Sequence, residues 1–179
     1  MLEIYIPESE QYNEITCEFF KINSQVIKLE HSLISLSKWE SKWHKPFFEK
    51  KQKSMEEIRD YVRCMTINQV NPLVYNLLTT EDYKKINAYI DDPMTATTFK
   101  DIQKKSDSRE SVTSELIYYW MVALQIPFEC EKWHLNRLLT LVRICNIKNQ
   151  PSKKMSRREI LSQNKLLNDA RLKKFHTRG

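Results

Sequence analysis

Glycine is all but missing from this 179-residue chain: its one glycine is the last residue, Gly179. Phosphate cradles of the P-loop and dinucleotide-fold kinds need glycine where backbone must approach phosphate. Those chemistries are therefore close to excluded. Two-residue hairpins and barrels rich in positive-φ turns are disfavoured for the same reason, which pushes the fold toward helices. Long apolar runs are lacking too: none reaches the roughly 18 residues of a membrane span. Residues 1–7 are short as a leader and contain Glu3, so no signal peptide is expected. Cysteine is sparse, and Cys17, Cys64, Cys130 and Cys145 are scattered through apolar surroundings. Reduced, buried thiols in a cytosolic protein are the expected state.

The length suits one domain with a proper core and does not require two. The net charge of +6 is unevenly placed. Residues 148–179 hold ten basic and two acidic side chains, a net of +8, which leaves residues 1–147 at −2. The basicity thus belongs to the C-terminal segment, which suits nucleic acid, an acidic partner protein or an anionic surface.

The chain is organised around residues 113–148, which read as two apolar helices joined by a corner at Pro127. The first carries Leu116, Ile117, Tyr119, Trp120, Met121, Ala123 and Leu124, apolar on most of its circumference and hence expected to be buried. The second places Leu135, Leu138, Leu139, Val142 and Cys145 on one face, with Asn136, Arg137, Thr140 and Arg143 opposite.

Ahead of this pair, residues 2–6, 15–22 and 25–29 read as strands, the last two turned at Asn23-Ser24. From Leu33 the period becomes helical, with Leu36, Trp39 and Trp43, and Pro46 ends the helix. Ser54 and Glu57 form a capping box for a helix to about Ile67, with Ile58, Tyr61, Val62 and Met65 on one face. Residues 72–78 give a short helix. Residues 80–90 give another, with Tyr83, Ile86, Ala88 and Ile90 inward, broken by Asp91-Asp92-Pro93. Residues 100–112 read as an exposed, mobile loop. After a linker at Pro151, a second capping box at Ser156 and Glu159 opens a helix to about Phe175 with a weak apolar stripe. The expected class is mainly α (α+β). Residues 1–149 form one globular domain: a small antiparallel sheet over 1–32, helices over 33–99, the loop, and the central pair over 113–149. Residues 150–179 form a basic C-terminal helix.

Few residues invite chemistry. Cys130 and His134 stand one helical turn apart, but a zinc site needs four ligands and only Cys145 lies near. A cysteine nucleophile needs an orienting third group and an oxyanion site, and nothing marks either. A buried thiol and a hydrogen-bonded histidine at a helix start are the commoner arrangement. Glu129 and Glu131 read as acids serving a helix dipole. No catalytic residue, metal or cofactor is expected.

The aromatics offer more. Trp39 and Trp43 share a helical face beside Lys38, Lys42 and Lys45, with Phe47 and Phe48 following. They read either as half-buried anchors under lysine stems or as an exposed patch for a partner. Tyr118 and Trp120 are a second such set, if the first central helix is not fully covered. In the tail, Lys153, Lys154, Arg157, Arg158, Arg171, Lys173 and Lys174 are candidate contacts to an acidic partner. Nucleic acid is the weaker choice, since no zipper, finger or helix-turn-helix accompanies them.

Five segments together resemble the tail assembly chaperones of long-tailed, siphovirus-type bacteriophages. They are LEHSLISLSKWESKWHKPF (29–47), EIRDYVRCMTI (57–67), INAYIDDPMTATTF (86–99), SELIYYWMVALQIPFECEKWHLNRLLTLVRICNIKN (114–149) and MSRREILSQN from Met155. The resemblance covers most of the chain. It implies a non-enzymatic protein of the infected host's cytoplasm, commonly absent from the mature virion. Such a protein binds the long, apolar tape measure protein, keeps it soluble and helps major tail protein polymerise around it. The family shares no catalytic motif. Self-association is open. The rival readings are a tail-module structural protein retained in the virion and a small basic nucleic-acid-binding protein.

Overall fold

The computed structural model describes residues 1–13, 18–49, 51–99, 111–149 and 157–175. Strands β1 (Leu2–Ile6) and β4 (Gln25–Leu29) pair antiparallel, as do β2 (Ser9–Asn13) and β3 (Glu18–Ile22). The two ladders share one register: Ile6 stands opposite Gln25, and Ser9 opposite Ile22. They form a single ribbon interrupted at Pro7-Glu8 and Asn23-Ser24, and Pro7 has no N–H to give to a ladder.

This corrects the strand reading. β3 and β4 do not fold back on each other at Asn23-Ser24; they are successive parts of one side of the ribbon. β2, SEQYN, falls outside the strands expected from the sequence. Its sequence is polar and lacks β-branched residues, so its strand conformation comes from pairing with β3 rather than from propensity. Residues 15–17 of the predicted strand lie outside the described residues.

The lower half of the ribbon buries Ile4, Ile6, Ile27 and Leu29 while Tyr5 points out, the period-2 alternation of a one-sided sheet. β4 continues directly into α1 (Leu33–Trp43), capped by Ser32 in a reciprocal pair of hydrogen bonds with Ser35. The helix ends on His44, whose φ of 52° turns the chain left-handed two residues before Pro46. α2 (Met55–Met65) opens on the Ser54–Glu57 capping box, and its C-terminal end is stitched to β4. There Ile67 N donates to the Lys28 carbonyl at 3.0 Å and Glu30 N donates to that of Met65 at 2.9 Å. A 3-10 turn (Pro72–Asn76) leads to α3 (Thr80–Asp91). On α3 the inward residues are Ile86 and Tyr89. Ala88, read as inward, is exposed, because the helix period places its neighbour Tyr89 three residues after Ile86 on the buried side.

α4 (Ser114–Ala123), a 3-10 turn (Phe128–Lys132) and α5 (Leu135–Asn149) as far as Asn146 complete the first unit. α5 buries Leu135, Leu138 and Val142 and keeps Arg137 and Arg143 exposed, as its spacing predicts. α4 is not the buried rod expected from its composition. Ser114, Ile117 and Met121 are buried, while Tyr119 is 66% and Val122 61% exposed. The helix lies on one side of its cluster, so only one face is covered.

The core consists of two clusters. One gathers the ribbon, α2 and α3 around Ile27, Leu29, Tyr61, Met65 and Ile86; the other gathers α4 and α5 around Ile117, Met121, Leu135 and Leu138. α1 supplies both, Trp39 to the first and Leu33 and Leu36 to the second. Each fully buried Leu or Ile contributes roughly 1.5–3 kcal/mol, so α1 is the element that the unit is built around. The protein is mainly α with a small N-terminal antiparallel sheet and a C-terminal helix.

The chain divides into two units, Met1–Asn146 and Ile147–Gly179. The second consists of the end of α5 and of α6 (Arg157–Phe175). The cap expected at Ser156 and most of the loop expected over 100–112 lie outside the described residues.

Candidate functional site: an apolar groove between two helices

Residues of α2 and α3 line a groove of about 730 Å³. Its walls are Ile58, Tyr61 and Val62 of α2 and Tyr83, Ile86 and Ile90 of α3, closed at one end by Phe47. Lys53, Ser54, Met55 and Asn87 stand at the mouth. The volume falls within the roughly 300–1,000 Å³ of binding clefts, and an apolar wall with few polar groups is their usual composition.

The wall at Phe47 is fixed by buried carboxylates. Glu40 accepts a hydrogen bond from Phe47 N and another from Ser114 N, each at 2.7 Å, so one side chain of α1 holds both the groove end and the start of α4. Asp60 accepts from Lys42 Nζ at 2.5 Å and from Trp43 Nε1 at 2.9 Å. Glu57 accepts from Lys45 Nζ at 2.6 Å and from Ser54 N at 2.8 Å. The Lys45 and Ser54 bonds hold the Glu57 carboxyl below the usual carboxylate range.

Around Phe47 the aromatic rings interlock. Trp39 meets it edge-on at 5.2 Å, Tyr61 lies 4.2 Å away and Phe48 packs behind it at 5.7 Å. The four aromatics singled out from the sequence are thus brought together, but not in one role. Trp39 is 1% exposed and donates Nε1–H to the Glu57 carbonyl at 2.9 Å, so it is a core residue and not a surface anchor. Burying its indole required a partner for the N–H, and the backbone of α2 supplies it. Trp43 is half-buried under Lys42 and Lys45, Phe47 lines the groove and Phe48 is exposed beside it. The sequence marks Tyr61, central to the wall, only as a helix-face residue.

The second aromatic set is split. Tyr118 and Trp120 are half-buried against the second cluster, and Tyr118 donates its hydroxyl to Glu131 at 2.9 Å. Burial and that carboxylate push the Tyr118 phenol up to about 12. The exposed aromatic of α4 is Tyr119, contrary to the burial expected from the composition of the helix. The signal was available: Ile117 and Met121, four apart, define the inward face and leave Tyr119 and Val122 opposite.

Cys130 is buried, and burial together with Glu129 pushes its thiol up rather than toward a reactive thiolate. His134 donates Nε2–H to the Tyr89 carbonyl at 3.0 Å, with its ring 5.1 Å from that of His31. His31 Nδ1 lies 2.6 Å from the Tyr61 hydroxyl. Burial and the neighbouring His134 lower the His31 pKa to about 4. These side chains join the two core clusters. Among the described residues no group of three His, Cys, Asp or Glu is placed to hold a metal.

Of the basic tail, Arg157, Arg158, Arg171, Lys173 and Lys174 fall on α6, and Lys153 and Lys154 lie outside the described residues. No helix among the described residues is long and apolar enough to cross a membrane. Comparison with protein-family models, with curated proteins and with solved structures finds no match.

Proposed function

We propose that this chain is a phage tail assembly chaperone. It binds the apolar tape measure protein in the host cytoplasm, keeps it soluble and promotes assembly of the tail tube from major tail protein. It acts by binding and not by catalysis, and it leaves before the virion is complete. The observation that carries this reading is the apolar groove between α2 and α3, walled by Phe47 and Tyr61 and rimmed by Met55. Helix-in-groove recognition needs such a cleft to take the i, i+3, i+4 and i+7 side chains of an amphipathic client. A methionine at the rim suits a client of variable side chains.

The test is co-expression with the tape measure protein of the same phage. Soluble client that co-purifies at high salt is the expected outcome, because apolar burial is insensitive to screening. Insoluble client in the presence of folded chain would remove the proposal. The exposed Arg158, Arg171 and Lys174 of α6 favour one second reading, a nucleic-acid-binding protein. That reading requires retention of DNA or RNA that falls steeply as salt rises.

A further inference from the structure

We infer that the groove takes an amphipathic helix of a partner protein whose apolar stripe has a carboxylate beside it, and that Lys53 receives that carboxylate. The inference rests on reading the groove as a client site and adds the chemistry of the client.

The lysines around the groove end are not equivalent. Lys42, Lys45 and Lys51 are held by Asp60, Glu57 and Glu49. Lys53 has no carboxylate within salt-bridge distance among the described residues, although it stands at the mouth. Its ammonium lies 4.4 Å from the centre of the Phe47 ring, and 5.9 Å from that of Trp39. Partial burial lowers its pKa, and Glu57 offsets this only in part. The charge is thus held beside aromatic faces in a partly buried place, where an anion brought by a ligand gains more than at an open surface.

A fatty acid shares the chemistry of an apolar body and one carboxylate. The rim favours a helix. Gln52, Ser54 and Asn87 line the cleft and are exposed at its rim. A helix presents polar side chains along both flanks of its apolar stripe, where the exposed amides of Gln52 and Asn87 can pair with them, and an alkyl chain offers them nothing.

The experiment uses the full chain and two fluorescein-labelled 18-residue synthetic peptides, followed by anisotropy at low salt. Both carry a leucine stripe at i, i+3, i+4 and i+7; glutamates flank it in one and lysines in the other. The glutamate peptide is expected to bind about tenfold tighter, and Lys53→Glu to reverse the preference. Met55→Asp, at the exposed rim, is expected to weaken both. Circular dichroism and melting temperature confirm that each variant is folded. Equal binding of the two peptides, or a preference that survives Lys53→Glu, overturns the inference. So does a preference that instead follows Arg158→Glu with Arg171→Glu, which would make α6 the receiver. Displacement of the peptide by palmitate at lower concentration gives the groove to a lipid. Self-association in sedimentation velocity that Met55→Asp abolishes gives it to a second copy. Either result overturns the inference as well. If tape measure protein is rescued while Lys53→Glu changes nothing, the client chemistry fails and the chaperone reading stands. If the peptides discriminate but no client is rescued, the reverse holds.

Discussion

Glu40 shows how one side chain can join distant parts of the chain. Both of its oxygens are occupied by backbone N–H groups, one in the groove end and one at the first residue of α4. Removing the acceptor leaves two donors without partners, each costing about 1–3 kcal/mol where buried. Glu40→Ala is therefore expected to destabilise the protein by about 3 kcal/mol, read as a lower denaturant midpoint at unchanged slope. Glu40→Gln keeps one acceptor oxygen and is expected to cost less. His31 carries one part of the pH response. Unfolded, it titrates near 6.5; folded, its pKa is lowered to about 4 by burial and by His134. Between these values the unfolded state binds more protons, so stability falls as pH drops from about 6.5 to about 4 and then levels off for this group. The loss is on the order of 3 kcal/mol for a shift of this size. His31→Gln is expected to flatten that part of the stability–pH curve measured by urea unfolding.

At the scale of elements, the tryptophans of α1 separate into core and rim. Trp39→Ala opens a cavity and removes the donor to Glu57, and is expected to cost about 3–5 kcal/mol. Trp43→Ala removes a half-buried ring and is expected to cost clearly less; thermal melts of the two variants make the comparison. α4 divides in the same way. Met121→Ala is expected to cost about 2–5 kcal/mol, while Tyr119→Ser and Val122→Ser stay within about 0.5 kcal/mol of the parent. Equal losses at Met121 and Tyr119 would mean that α4 is covered on both sides. The ribbon is a third case: Tyr12 and Phe19 stand 5.0 Å apart as a cross-strand pair, with Phe19 75% exposed. A pair of this kind contributes about 0.2–1 kcal/mol to its ladder.

At the scale of the molecule, both core clusters lie in the unit Met1–Asn146, which α1 holds together. A chain truncated after Asn149 is expected to melt within a few degrees of the full-length protein, since no residue of either cluster is removed. Calorimetry of the two chains checks this. If the nucleic-acid reading is right, the same truncation abolishes salt-sensitive retention of DNA.

Helix starts were legible because capping is local. Ser54 and Glu57 lie three residues apart and satisfy each other without help from elsewhere. The single-faced spacing of α5, the stop at Pro46 and the segregation of charge are local in the same sense. Strand pairing is not local: β2 has little strand propensity of its own beyond Tyr12, and its register is set by β3 across the ribbon. Burial is not local either. Composition made α4 look central, yet which of its faces is covered depends on where α1 and α5 lie. The groove is the clearest case. Phe47, Ile58, Tyr83 and Ile86 come from three separate stretches, and their meeting depends on how those stretches pack. Sequence alone determined which segments are helical, where they begin and where the charge resides, because hydrogen bonds within a few residues decide those matters. Tertiary structure alone decided that Trp39 is core, that Tyr119 is surface and that a cleft lies beside Lys53, because each depends on atoms brought from far along the chain.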